Sequence, residues 1–291
     1  MLILISDAFD PGLPGTLAKY GDVTDDKGKL AEADIVLVRS KTKVTKEYID
    51  SAPRLKMVIR GGVGLDNVDA DHARKKGIIV YNTADASSIA VAELAFAMMI
   101  AMPNRLVEAD TSMHAGQWLK KELKRTELYG KTLGVFGMGR IGSEIAKRAR
   151  AFGMKVLGFD PYVKASEYAE MKTNVKDLLN QSDYISLNMP LTDETRGMIN
   201  KETLALCKKG AYIINTGRGA CIVEKDVAEA LKGGKLAGFA TDVWLSDPPD
   251  KSPLMDAPNV LMAPHIGAST NENLLRIGVI IDRLIGEYMK K

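Results

Sequence analysis

Short apolar runs alternate along this chain with longer stretches that are polar or amphipathic. Met1–Ile5, Ile35–Val38, Met57–Ile59 and Ile78–Tyr81 are apolar enough to predict buried strands, and Lys46–Asp50 and Val68–Lys75 between them predict helices,. That alternation builds βα units around a parallel sheet, because parallel neighbours need a crossover connection. A second series opens at Thr132–Phe136. Strands follow at Val156–Phe159, Tyr184–Leu187, Ala211–Asn215, Ala237–Ala240 and Val260–Met262, each preceded by a helical stretch. Six such strands predict a doubly wound sheet. Between the two series, Leu94, Met98 and Ala101 or Met102 recur at helical spacing and predict one long helix from about Ser87 to about Ala109,. The apolar residues of Asn271–Lys291, Ile277, Ile281 and Ile285 among them, predict a helix with a basic tail,.

Composition narrows this picture. The chain has 291 residues, and domains of roughly 100–200 residues are usual, so two are expected,. With 46% hydrophobic residues it can bury a core without a metal or disulfide staple, and no metal site is expected,. Forty basic residues against 37 acidic ones leave a net charge of +3, which speaks against a nucleic-acid partner,. Lys120, Lys121, Lys124 and Arg125 form a basic run, but Glu122 and Glu127 interrupt it and a solvated face is expected,. Only Cys207 and Cys221 are present, which fits a reducing, cytoplasmic setting,. Met1–Ile5 has no basic segment before it and reads as a strand rather than a signal peptide,. Ile89–Met102 is apolar over 14 residues and carries Glu93; it is expected to be a buried helix, too short for a bilayer,.

The first chemical signal is Gly137-Met138-Gly139-Arg140-Ile141-Gly142, a G-x-G-x-x-G element directly after one predicted strand and at the start of a helix. In that context the first glycine makes the tight turn, the second lets backbone approach a pyrophosphate, and the third lets helix and strand pack closely. The next strand ends at Asp160, 23 residues after Gly137. A carboxylate there can accept from the adenosine ribose hydroxyls and would repel a 2′-phosphate, so NAD is favoured over NADP.

The second signal lies at other strand ends. Arg218 follows Ala211–Asn215, Asp242 and Asp247 follow Ala237–Ala240, and His265 follows Val260–Met262. Open α/β sheets place their sites at these ends. Taking a hydride from a 2-hydroxy acid needs a base for the hydroxyl proton, a cation for the carboxylate and an acid to orient the imidazole. Of the other histidines, His72 stands in a charged helix and is expected to be solvated, and His114 near a helix end is expected to serve the helix dipole,.

With these residues in place, the chain resembles the D-isomer-specific 2-hydroxyacid dehydrogenases, most closely the D-3-phosphoglycerate dehydrogenase branch. The resemblance runs over nearly the whole length. It is carried by Val38-Arg39-Ser40 with Thr42, Val44 and Thr45, by Arg60–Asp69, Gly137–Gly142 and Asn215–Gly219. It continues through Asp242–Trp244, Asp247–Pro249 and Pro264–Thr270. It implies that Arg218 holds the substrate carboxylate, that His265 is the general acid/base and that Asp247 stands where the family orients its histidine with glutamate. Asp160 would then bind the ribose and Asp242 lie near the nicotinamide carboxamide. Gly137, Gly139, Arg140, Ile141, Gly142, Thr216 and Gly267 would line the cofactor, and Arg39, Arg60, Val63 and Gly64 the substrate. This chain departs from the family pattern at Asp247, one methylene shorter than glutamate, and at Ser87, Val63 and Gly217. The shorter Asp247 must reach His265 by a small backbone shift or pair more weakly.

The resemblance also implies a layout of two Rossmann-like domains. A cofactor domain (87–270) is inserted in a discontinuous substrate domain (1–86 and 271–291), with the active site in a closing cleft. A homodimer through the cofactor domain is expected, as is the absence of feedback control through a C-terminal regulatory extension. The expected reaction is NAD-dependent oxidation of D-3-phosphoglycerate to 3-phosphohydroxypyruvate, the first step of serine biosynthesis. Reduction of glyoxylate or hydroxypyruvate is the alternative within the same chemistry, and a non-catalytic NAD-sensing module the alternative outside it.

Overall fold

The computed structural model describes residues 1–290. The chain divides into two compact units, one made of Met1–Ser88 with the segment from Ala268 onward, the other of Ile89–Gly267. Each is an α/β unit with its own parallel sheet, and the second is inserted in the sequence of the first.

The first unit contains β1 (Leu2–Ile5), α1 (Leu13–Leu17), β2 (Asp22–Thr24), β3 (Ile35–Val38), α2 (Lys46–Asp50), β4 (Met57–Arg60), α3 (Ala70–Lys75) and β5 (Ile79–Asn82). Its sheet runs β2-β1-β3-β4-β5. The strands are apolar on both faces for a visible reason. Ile3, Ile5, Ile35, Leu37, Met57 and Ile59 form one buried cluster, while the alternate residues Leu4, Val36, Val38 and Val58 form another,. His72 is not solvated as expected: Nε2 lies 2.9 Å from Asp50 Oδ1 and its side chain is only 19% exposed. The charged helix α3 packs that face toward α2, which the sequence pattern alone did not reveal.

The connection to the second unit is not one helix to Ala109. α4 (Ala84–Ala101) stops before Pro103, and α5 (Leu106–His114) starts after Arg105, whose φ is +52°. Proline has no N–H to continue a helix and its ring crowds the preceding turn, which accounts for the break. By length and composition alone α4 could cross a membrane, its 18 residues having a mean hydropathy of 1.5. It therefore exceeds the 14-residue apolar stretch, yet 56% of it is buried, with Ala92, Ala95 and Met99 in the core of the second unit.

That unit continues with β6 (Thr132–Phe136), α6 (Arg140–Ala151), β7 (Lys155–Phe159), β8 (Glu170–Met171), α7 (Val175–Leu179), β9 (Tyr184–Leu187) and α8 (Lys201–Leu206). β10 (Ala211–Asn215), α9 (Glu224–Lys232), β11 (Leu236–Thr241) and β12 (Val260–Met262) complete it. The strand order is β12-β11-β10-β9-β6-β7-β8, all parallel. The six expected strands are present, and the two-residue β8 makes a seventh. Between β6 and β9 the order reverses, so the loops leaving these two strands diverge and open a crevice at the carboxyl edge. The chain then re-enters the first unit as α10 (Asn271–Met289), whose Ile277, Ile281 and Ile285 fill the cluster under β1, β3 and β4.

Candidate active site

At the switch point, Gly137 turns with φ +82°, and a Cβ there would lie 2.9 Å from the backbone of Asn188 and Met189 at the end of β9. Gly142 sits in the first turn of α6, where a Cβ would come within 2.0 Å of the Gly137 carbonyl oxygen. These two glycines are required by the chain's own packing. Gly139 is different: nothing lies within 4 Å of a Cβ built on it. It caps α6 with no side-chain hydrogen bond, so the uncapped helix end and an open space coincide. That is the cradle a pyrophosphate requires, with the first N–H groups of α6 and the positive end of the helix dipole directed at it. Arg140 is exposed and Ile141 half-buried at the same helix start.

Asp160, at the end of β7, holds this turn from the side. Oδ2 accepts from the Met138 N–H at 2.9 Å, and Oδ1 accepts from the N–H groups of Tyr162 and Val163 at 2.8 and 3.1 Å. A carboxylate has about four acceptor sites, so one remains for a ribose hydroxyl. The other side of the crevice has a residue that the sequence reading missed. Asn188 ends β9, its amide donates to Ser186 Oγ and its Oδ1 accepts from Thr216 Oγ1 at 3.4 Å. Its strand-end position was the signal that could have found it.

The second group stands on β10, β11 and β12, which are adjacent. Asn215 shapes the turn after β10. Its Oδ1 accepts from Gly217 N–H and its amide donates to the Arg218 carbonyl, closing a loop that presents Arg218. The Arg218 guanidinium donates to the Gly217 carbonyl oxygen at 2.7 Å. A Cβ on Gly217 would press the carbonyls of Leu187 and Met189 at 3.1 Å, so a side chain there is accommodated only if these carbonyls shift slightly.

After β12 the chain takes a rare conformation: His265 has φ +56°. Non-glycine residues seldom occupy this region, and its cost of about 1–2 kcal/mol needs an outside source of stability. Asp242, 2% exposed at the end of β11, provides it. Its Oδ1 accepts from Ile266 N–H at 2.8 Å and its Oδ2 from Gly267 N–H at 2.7 Å. Burial pushes the Asp242 carboxyl above its ordinary range, while these two N–H groups and His265 pull it back and Asp247 adds to the rise. A Cβ on Gly267 would lie 2.9 Å from Asp242 Oδ2, so glycine is needed for the carboxylate to fit. The Trp244 indole N–H donates to the Ala263 carbonyl and fixes the approach to His265.

His265 Nδ1 pairs with Asp247 Oδ2. The shorter side chain reaches the imidazole, with both groups partly exposed. Asp247 as the partner fixes Nδ1 and leaves Nε2 as the nitrogen that can exchange a proton with a ligand.

Arg39 and Arg60 belong to the first unit. Arg39 is held by its own backbone, its N–H donating to Asp7 and its carbonyl accepting from Asn67, and burial lowers its pKa while Asp7 opposes the shift. Arg60 ends β4, and Gly62 gives it room: a Cβ there would lie 1.5 Å from Arg60 Nη1. Val63 and Gly64 are half-buried in the same loop, and the Val63 carbonyl accepts from the Asn82 amide. Among the described residues no group of three or more His, Cys, Asp or Glu is arranged to hold a metal ion.

Residues 96–267 match the family model of the D-isomer specific 2-hydroxyacid dehydrogenase, NAD binding domain. The chain belongs to the D-isomer specific 2-hydroxyacid dehydrogenase family. Within the family it is 43% identical over 99% of its length to D-3-phosphoglycerate dehydrogenase of Methanocaldococcus jannaschii, of which it covers 57%. It is 42% identical over 89% of its length to hydroxypyruvate reductase of Thermotoga maritima, of which it covers 86%. The chain thus spans little more than half the length of the phosphoglycerate dehydrogenases it matches. Among solved structures, D-lactate dehydrogenase from Aquifex aeolicus, complexed with NAD and lactic acid, superposes with a TM-score of 0.87. That pair is 30% identical, and the match covers 100% of this chain and 96% of the other. The glycine turn, Asp160, Asp242 and His265 of this dehydrogenase-family chain lie in or beside the matched segment.

Proposed function

We propose that this protein is an NAD-dependent D-2-hydroxyacid dehydrogenase acting on D-3-phosphoglycerate. The observation that carries the reading is the His265–Asp247 pair on a backbone clamped by Asp242, one loop from Arg218 and on the same sheet as the Gly137–Gly142 turn. Arg218 offers a fixed cation to the substrate carboxylate, which aligns the C2 hydroxyl. His265 Nε2 takes the hydroxyl proton as the hydride leaves C2, and Asp247 stabilises the imidazolium that results. Bound nicotinamide would supply the hydride acceptor. Gly137, Gly139, Arg140, Ile141 and Gly142 would cradle its pyrophosphate, and Thr216, Asp242 and Gly267 would border it. Asp160 keeps one acceptor site for the adenosine ribose, and its charge disfavours a 2′-phosphate, so NAD is preferred to NADP. Arg39 and Arg60, with Val63 and Gly64, are the proposed anion contacts of the first unit.

A second reading, hydroxypyruvate or glyoxylate reduction, is favoured by the Thermotoga maritima relative, which this chain covers nearly in full. The separating experiment follows NADH absorbance with D-3-phosphoglycerate, D-glycerate, D-lactate and glycolate, and in reverse with phosphohydroxypyruvate, hydroxypyruvate and glyoxylate. A need for the phosphorylated acid and NAD supports the first reading; turnover of unphosphorylated keto acids alone replaces it with the second. NAD binding without turnover of any acid would make the chain a binding module.

We also propose a cytoplasmic homodimer formed through the second unit. Leu106, Val107 and Met113 on α5 and the nearby Trp118 are all more than half exposed, an unusual concentration of apolar surface,. Sedimentation equilibrium showing a monomer at micromolar concentration would remove that part of the proposal.

A further inference from the structure

Asp247 has to meet an imidazole held in a fixed conformation, yet it stands in a loop with little to hold it. The connection from β11 to β12 has no regular structure, and beyond its buried start at Asp242 and Val243 only Ser252 and Leu254 are buried. Leu254 belongs to the apolar core. Ser252, 8% exposed, is a polar anchor whose hydroxyl is used in both directions. It donates to Glu224 Oε2 at 2.7 Å and accepts from Leu254 N–H at 3.3 Å. Glu224 is itself 8% exposed, an uncommon depth for a carboxylate, and starts α9, where the helix dipole favours its charge,.

The placement of this bond joins two chemical groups. Glu224 follows Arg218 by one short turn, Gly219–Cys221. Ser252 follows Asp247 in the other strand-end loop. The same two loops touch nearer the sheet, where a Cβ on Gly219 would lie 2.1 Å from the Trp244 carbonyl. A close backbone approach at one end and a buried hydrogen bond at the other leave the Asp247 segment little freedom against the Arg218 loop. Ser246, whose hydroxyl donates to the Pro248 carbonyl, braces the segment between.

We propose that Glu224 and Ser252 are positioning residues that set Asp247 against His265. They touch no reacting atom and act through the loop alone. The inference rests on His265 as the proton-handling group, so its test has one readout that needs no substrate. Histidine labelled with 15N in the ring gives three residues to resolve, with His265→Ala for assignment. In Ser252→Ala and Glu224→Ala the His265 ring-nitrogen shifts should move toward those of Asp247→Ala, and kcat should fall about tenfold, as a small misplacement of a reacting group does. KM for the acid and the Kd for NAD should stay unchanged. Ser252→Thr and Glu224→Gln, which keep the donor and the acceptor, should restore the wild-type shifts and rate. Wild-type ring shifts in Ser252→Ala would overturn the proposal, as would a loss of kcat without any change in them. Should Ser252→Ala fail to fold, Ser252→Cys keeps the size and weakens the bond. If the wild-type protein turns over no 2-hydroxy acid, the functional reading fails, but the ring shifts still decide this one.

Discussion

His265 combines a strained backbone with a hydrogen-bonded side chain, and different neighbours hold each. Asp242 grips the next two N–H groups and Asp247 takes Nδ1. His265→Ala should therefore remove proton transfer without disturbing the nucleotide turn. The expected loss in kcat is about 10²–10⁴-fold, the usual contribution of a general base, with NAD affinity by fluorescence titration unchanged. Retention of near wild-type turnover would show that another group is the base. The Asp242 grip has its own pH signature. Protonation would turn one acceptor oxygen into a donor, and burial sets that event above the ordinary 3.8. Protection of the Ile266 and Gly267 amides against exchange, taken relative to the intrinsic rate at each pH, should fall in mild acid before the fold as a whole opens. The strand-end positions of Arg218, Asp247 and His265 were legible in the sequence because each follows an apolar strand. The left-handed His265 and the three backbone donors on Asp160 were not, because they arise from loop conformations that no spacing encodes.

At the scale of elements, the strands were the most legible part, since predominantly apolar, almost wholly buried runs of four to six residues suit a sheet covered on both faces,. β2 and β8 escaped because they are edge strands of three and two residues with partly exposed side chains. The α4–α5 break was visible in Pro103 but was overridden by the apolar periodicity on its N-terminal side. The β6–α6 turn offers a test in which two neighbouring glycines should behave oppositely. Gly142→Ala pushes a methyl against the Gly137 carbonyl and should lower stability by about 3 kcal/mol in urea unfolding,. Gly139→Ala meets open space, so the melting temperature should hold while NAD affinity falls about tenfold or more, because the backbone can no longer approach the pyrophosphate,. Equal effects on stability would refute the division of roles.

The molecule as a whole should be sensitive to acid through paired carboxylates of both units. Lys76 and then His72 bring Asp50 down to about 2. For Asp34, the Leu2 N–H with Lys56 and Arg54 outweighs burial, and for Asp183 the Thr132 N–H with Lys208 does the same. Groups with a folded pKa below the unfolded one stabilise fully above about pH 4, and that contribution disappears as pH falls through the folded values. Asp242 has the opposite sign, its contribution declining as pH rises from 3.8 toward its higher folded value. Circular dichroism should therefore show stability dropping between about pH 4 and 2, with Asp50→Asn shifting the onset upward. The two-unit layout was legible through the repeated strand series, and the return of the last helix to the first unit through the family resemblance, but which residues of α10 close that unit is seen only in the packing. Ile277, Ile281 and Ile285 complete a core begun by Ile3, Leu13 and Leu17. During synthesis, those first residues leave the ribosome long before their partners exist, whereas Ile89–Gly267 becomes available as one continuous piece. The inserted unit can therefore fold first, and the opening strands must wait, their apolar faces uncovered, until α10 emerges. A chain truncated at residue 270 and released from the ribosome should yield a protease-resistant core from the insertion and a degradable N-terminal segment.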